Sequence, residues 1–310
     1  MASIESLKQR MENLDDLQQI VRTMKALSAV SIRQYEQAAA ALAEYEGSVE
    51  LGLRAVLRET PTAAAPSSAD GGGGDGLGDD LGDRSGDESG DRSDATDAVI
   101  VLGTDHGLCG RFNEVIVEHV QQQVTDAAVV RHWLAVGERV APSLESVAGN
   151  GTEIFPTPSS AAGITAIVQR LLLRVDAWQS EGVERVQLYH NRPTGRSGYE
   201  PHGQRLFPLD PARFRQRAQA PWPSRRLPLY TLPRGLLVGH LLRQHYFSVL
   251  FRACAESLAA EHGSRLKAMQ AAEKNLDERL EDITGRYRRE RQAAITSELL
   301  DVVAGFEAAS

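Results

Sequence analysis

The chain has 310 residues, 42% of them hydrophobic and 5% aromatic, and a formal charge of −8, enough for one sizeable core or two small ones. It holds no run of 18 apolar residues, and charges are spread through its first 30 positions, so neither a membrane-spanning helix nor a signal peptide is expected. Cys109 and Cys254 are the only cysteines, too few for a disulfide framework, and a reduced, cytoplasmic setting is expected.

No proline occurs before Pro61, and Ile4, Leu7, Met11, Leu14, Leu17, Met24 and Leu27 return with a helical period that continues through Tyr35, Leu42, Val49, Leu53 and Val56. This predicts one helix over residues 1–60. Residues 61–97 differ sharply. Nine Asp, one Glu and two Arg leave that stretch alone at −8, and nine of the 27 glycines lie there. Such a composition buries too little apolar surface to offset its ordering entropy, which predicts a disordered acidic linker. Calcium binding is the other reading of Gly/Asp repeats, but no closing bidentate Glu sits at the required offset.

Residues 98–210 alternate. Ala98–Gly103 reads as a buried strand, Thr104–Gly110 as a turn and Phe112 to about Val124 as a helix. Ala128–Val136 is a second strand, Ile164–Trp178 an amphipathic helix, Val183–His190 a third strand and Arg205–Leu209 a fourth. Strands alternating with helices predict a small open α/β sheet of Rossmann-like type. A proline-rich connector, 211–233, follows. No proline occurs after Pro233, and Leu236, Leu241, Leu250, Leu258, Leu266, Met269, Leu276, Leu280, Ile283, Tyr287, Ile295, Leu299, Val302 and Phe306 keep one face apolar over 234–310.

At ~1.5 Å per residue the terminal helices would reach roughly 85 Å and 110 Å, too long to bury themselves in a globule. They are most simply paired as an antiparallel coiled coil. The pattern leaves a second arrangement open, in which each helix breaks at glycine (Gly47, Gly52; Gly239, Gly263, Gly285, Gly305) and packs as a bundle. The expected fold is therefore α/β, a long antiparallel coiled coil of the N- and C-terminal helices with a central Rossmann-like domain.

No constellation reads as catalytic. Gly107, Leu108, Cys109 and Gly110 lie between a strand and a helix, where phosphate-binding loops occur, but the Lys-Ser/Thr ending of a P-loop and the three-glycine dinucleotide spacing are absent. Cys109 near a helix start could be an activated thiol or a buried structural one. The eight histidines form no metal quartet. No catalytic residue, cofactor or metal is expected, nor is nucleic acid as a partner; the residues describe a scaffold or transmission element.

Three segments resemble the gamma subunit of F-type ATP synthases, the central rotor stalk. They are Met11–Leu14 through Gln19–Val30, with Met24-Lys25 at the family's Met-Lys pair; Thr104–Asn113, like its Gly-Leu-Cys-Gly-x-Phe-Asn turn; and Glu261–Met269 with Tyr287–Glu298 and Val302–Gly305, like its C-terminal signature. The resemblance implies a shaft inside a hexamer of alpha and beta subunits, with the α/β domain against the epsilon subunit and the membrane c-subunit ring. It implies proton- or sodium-driven ATP synthesis, or the reverse, at the cytoplasmic face of the cell membrane, with no membrane span and no bond chemistry in this chain. Residue by residue, it implies contacts with the catalytic subunit for Met24, Lys25, Arg291, Gln292, Thr296 and Glu298. Leu299, Val302, Val303 and Phe306 would form a bearing tip, and Gly107–Gly110 a turn at the foot. Departures such as Ser31 for the usual Lys and Arg288 for the usual Asn fit a divergent branch, the alternate sodium-type ATPases among them. A coiled-coil adaptor is the other reading.

Overall fold

The computed structural model describes residues 4–58, 98–124, 130–149, 151–195, 198–209 and 229–309. The acidic stretch 61–97, with its linker and calcium readings, and most of the connector 211–233 lie outside the described residues.

Two helices dominate: α1, Ile4–Arg58, with 55 residues, and α5, Arg234–Ala309, with 76. Both run unbroken, so the rod is the arrangement found and the glycine-broken bundle is not. Gly52 explains why a glycine here does not end the helix: a Cβ at that position would lie 3.0 Å from Cδ2 of Leu241. The missing side chain lets the two helices close on each other, and that packing offsets glycine's poor helix propensity.

The helices are antiparallel. Gln18 pairs with Asp277, Arg22 with Glu273 at 3.3 Å, Tyr35 stacks on His262 at 5.6 Å, Glu46 pairs with Arg252, and Arg234 donates to the Val56 carbonyl at 3.1 Å. Positions advance along α1 as they fall along α5, the register the apolar stripes require.

Between the rods lie β1 (Ala98–Leu102), α2 (Phe112–Gln123), β2 (His132–Val136), α3 (Ala141–Ala148), β3 (Glu153–Phe155), α4 (Ile164–Ser180), β4 (Val186–Thr194) and β5 (Gly198–Phe207). The sheet order is β3-β2-β1-β4-β5, parallel except for β5. All five residues of β1 are buried. Ala98, Ile100 and Leu102 face α4 and α5, whereas Val99 and Val101 face α2 and α3. This two-sided burial is why the strand reads as a continuous apolar run and not as an alternation.

The sequence reading missed α3 and β3 and started β5 seven residues late. Helix α3 carries Pro142 in its first turn, where a proline costs no hydrogen bond but looks like a breaker. Strand β3 has three residues, too few for any period. Pro193 and Pro201 sit in the part of the β4–β5 hairpin beyond Tyr189, the last β4 residue paired with β1. There each strand has one neighbour, and an edge tolerates proline.

The middle of α5 is enclosed by α1 on one side and by α4 and the sheet on the other. Ala253, Cys254, Ala255, Ser257, Leu258, Ala259 and Ala260 are all buried. A helix buried all round has no polar face, and close approach from several sides demands small side chains. The single-stripe pattern read from sequence holds only beyond this segment.

Candidate functional site

Continuing the coil register from Gln18 and Asp277, Ile4 falls opposite about residue 291 of α5, and the remaining turns, ~25–30 Å of helix, have no partner among the described residues. Every described side chain from Arg288 to Ala304 is exposed. Arg291, Gln292, Thr296, Glu298, Leu299, Val302 and Val303 all stand on this bare projection. Phe306 lies in the same helix, but its side chain is outside the described residues. At 100° per residue, Arg288, Arg291, Ile295, Leu299 and Val302 share one side, and Glu290 and Asp301 share the opposite one. The projection is thus basic at its root and apolar toward its end. Leu299 is 61% exposed, Val302 62% and Val303 53%, an arrangement that calls for a covering partner.

Met24 and Lys25 are half-buried on α1. The ammonium of Lys25 pairs across the coil with Glu273, which also accepts from Arg22. The hydrogen bond from Lys25, with that of Arg22, holds the Glu273 carboxyl below the usual carboxylate range. Lys25 is therefore engaged inside the coil, several turns below the bare projection and apart from Arg291 and Gln292. Arg22 lies inside the Gln19–Val30 segment read from the sequence, without a contact assigned to it, and the sequence reading does not single out Glu273.

The turn Gly107–Gly110 sits at the border of the domain nearest the projecting end of α5, packed on Glu261–Arg265, and not at the end where α5 begins. Its backbone is held by α5: Arg265 Nη2 donates to the carbonyls of His106 and Gly107, each at 3.3 Å, and to Glu261 Oε1 at 2.5 Å. Ser264 Oγ donates to the Cys109 carbonyl at 2.6 Å. Leu108 has φ 64° and Gly110 φ 62°; a leucine in the left-handed region is strained and persists only where its surroundings hold it. It leaves Leu108 58% exposed.

The turn is also fixed from the domain side. Asp105 accepts hydrogen bonds from Glu138 N at 2.8 Å and from Thr157 N and Oγ1 at 2.8 and 2.7 Å, and Asn113 donates to Thr104 Oγ1 at 2.9 Å. Burial pushes the Cys109 thiol up, and the Glu261 charge adds to it, the opposite of an activated nucleophile. Burial likewise pushes the Glu261 carboxyl up against the pull of Arg265, and it drives His262 down to about 4, with help from Arg265 and His106. Sequence reasoning quoted Glu261–Met269 without assigning it a contact. The available signal was an i, i+4 Glu/Arg pair inside a run of small residues, where a charge is costly unless paired.

A cavity of about 650 Å³ opens where β4, β5, α1 and α5 meet. Within it Glu256 pairs with His190 at 3.0 Å and with Arg192 at 3.2 Å, Glu46 pairs with Arg252, and Arg205 also lines the wall. Among the described residues no cluster of three or more His, Cys, Asp or Glu is placed to hold a metal. No described helix is long and apolar enough to cross a membrane.

Fold and site together define a shaft protein, a coiled coil that carries an α/β domain along its lower part and ends in a helix unpaired among the described residues. The family model described as ATP synthase matches residues 3–309. The chain is 26% identical over 313 residues to the ATP synthase gamma chain of Geotalea uraniireducens, with 99% of each covered, and 28% identical over 321 residues to that of Anaeromyxobacter dehalogenans, covering 99% of this chain and 100% of that one. Among solved structures it resembles the rotor of the Euglena gracilis mitochondrial ATP synthase (TM-score 0.58, 16% identity, covering 94% of this chain and 98% of that one). It also resembles the central stalk and c-ring structure of the Tetrahymena thermophila enzyme (TM-score 0.53, 18% identity, covering 82% and 99%). The chain belongs to the ATP synthase gamma-chain family and is a subunit of an ATP synthase complex.

Proposed function

We propose that this chain, as the central rotor shaft of an ATP synthase, carries torque between an ion-driven membrane ring and a nucleotide-binding hexamer without performing bond chemistry itself. The observation that carries this reading is the bare end of α5: a long helix, basic then apolar, with every described side chain from Arg288 to Ala304 uncovered. An isolated helix with such a face is marginal in water and gains most of its stability from whatever encloses it.

In this reading the alpha and beta subunits surround the upper coil. Arg291 and Gln292 meet a loop of the catalytic subunit through charge-assisted hydrogen bonds that form and break as the shaft turns. Thr296 and Glu298 lie beside them. The apolar end at Leu299, Val302 and Val303 turns as a bearing, since dispersion contacts hold without fixing an angle. Met24 acts from α1, and Lys25 does so through its tie to Glu273. The α/β domain and the start of α5 meet the epsilon subunit and the c-subunit ring, which places the chain peripherally at the cytoplasmic face of the cell membrane. The coupling ion, proton or sodium, is selected by subunits other than this one.

The test is native mass spectrometry of the chain mixed with the two large nucleotide-binding subunits of its own organism, with ATPase turnover read in parallel. One copy per six large subunits, with turnover that depends on it, is the expected result. A homo-oligomer and no mixed complex would overturn the rotor and favour a coiled-coil adaptor.

A further inference from the structure

The contact between the sheet and α5 is built from small side chains. Ala253, Cys254, Ala255 and Ala259 are buried against β4, α4 and their neighbours, with Leu250 and Leu258 completing the strip. Such a surface excludes water, but its attraction is non-directional and each atomic contact is weak. Resistance to twisting about the helix axis must therefore come from directional bonds.

Among the described residues these bonds gather at three places along α5. At the lowest, Arg243 meets Asp176 of α4 at 3.3 Å, with both side chains more than half exposed. At the middle one, Glu256 meets the buried His190 of β4 at 3.0 Å and Arg192, whose side chain is 41% exposed, so this contact joins side chain to side chain and touches no backbone. The bonds to Arg192, Arg243 and Asp176 end on flexible, hydrated side chains and yield by a rotamer change, which leaves the single imidazole of His190 to resist twist there. The upper one grips backbone. Arg265 spans the carbonyls of His106 and Gly107 while Glu261 orients its guanidinium, and Ser264 holds the carbonyl of Cys109. Those carbonyls cannot shift independently of the sheet. Asp105 is bound to Glu138 and Thr157, and the Thr104 carbonyl accepts from Arg139 N at 2.9 Å. A Cβ on Gly103 would lie 2.4 Å from Cβ of Val140, so the strand end is wedged against the chain leading into α3. On the other side, His262 stacks on Tyr35 of α1. The grip thus reaches both helices of the coil.

We propose that Arg265 is the positioning residue that locks the α/β domain to the shaft against rotation, so that twist delivered to the domain enters the coil instead of slipping along the apolar strip. This rests on the rotor reading. A planar guanidinium with donors in a fixed fork can hold two carbonyls and a carboxylate at once; an ammonium in its place can hold fewer, with looser direction.

The experiment compares the assembled complex carrying the native chain, Arg265→Ala or Arg265→Lys. It measures complex yield by native mass spectrometry, the ATP hydrolysis rate, and ions pumped per ATP hydrolysed in sealed vesicles. In assembled Arg265→Ala complex, hydrolysis continues and pumping per ATP falls several-fold; Arg265→Lys lies between it and the native chain. Arg265→Lys keeps a cation beside Glu261, so if the alanine variant fails to assemble, the lysine variant carries the same test. Unchanged pumping per ATP in assembled complex overturns the proposal. So does a loss of hydrolysis and pumping in equal proportion to lost complex, because that marks a purely structural residue. Native complex whose pumping does not depend on this chain at all would instead sink the rotor reading.

Discussion

Shortening the apolar side chains of the bare α5 end separates a docking surface from a structural one. In the triple variant Leu299→Ala, Val302→Ala, Val303→Ala, every altered side chain is more than half exposed, at 61%, 62% and 53%. Stability of the isolated chain should therefore move by no more than about 0.5 kcal/mol, and alanine's helix propensity tends to raise it. Association is different. Leu→Ala removes three carbons and each Val→Ala two, worth about 0.8 kcal/mol per carbon when fully buried. Roughly 60% of that surface remains for a partner to cover, so the loss on docking is ~3 kcal/mol, or about a hundredfold in affinity. The assay is a titration of the chain against the hexamer of large subunits, with melting of the free chain as control. Native affinity in the triple variant would refute the covered-tip argument, and so would a free chain that melts several degrees lower.

Four further outcomes follow from the geometry. His262 is held at about 4 against an ordinary 6.5, so the unfolded chain binds more protons between those values. Stability should thus fall as pH drops from 6.5 toward 4, by at most about 3 kcal/mol; pH-dependent melting of His262→Gln should be flatter than that of the native chain. Ala255→Leu, at a site with no exposure, forces extra carbons between sheet and shaft and should cost about 1–3 kcal/mol in chemical denaturation; a neutral result would show that the strip is loosely packed. Asp105→Ala frees three donors, at Glu138 and Thr157, and should cost about 2–3 kcal/mol while raising hydrogen exchange in the turn 104–110. Removing residues 66–95, the acidic glycine-rich stretch, should leave hexamer binding intact; a variant that no longer assembles would give that stretch a partner.

The amino-acid sequence by itself determined the two long terminal helical segments, while the structure decided that each runs unbroken past its glycines. Period and the absence of proline before Pro61 and after Pro233 are local properties, and long local patterns survive any tertiary context. It also determined the buried β1 and the order of the main α/β elements, because a strand covered on both faces leaves a run such as Ala98–Leu102 that little else produces. The resemblance implies a contact with the catalytic subunit for Arg291 and Gln292 and a bearing tip for the apolar residues after them, and the structure leaves the described side chains among these bare. What only the tertiary structure decided depends on contacts across large sequence separations. The offset between α1 and α5 fixes how much of α5 projects, and it is set where Gln18 meets Asp277 and Glu46 meets Arg252, pairs that no periodicity identifies. The tie of Lys25 to Glu273 follows from the same offset. The position of the Gly107–Gly110 turn beside Arg265 required the sheet's placement along the shaft. Only then does a buried Glu261–Arg265 pair, an oddity among small residues, become the grip between a domain and the rod it rides on, since a charge is tolerated in such a place only where partners surround it.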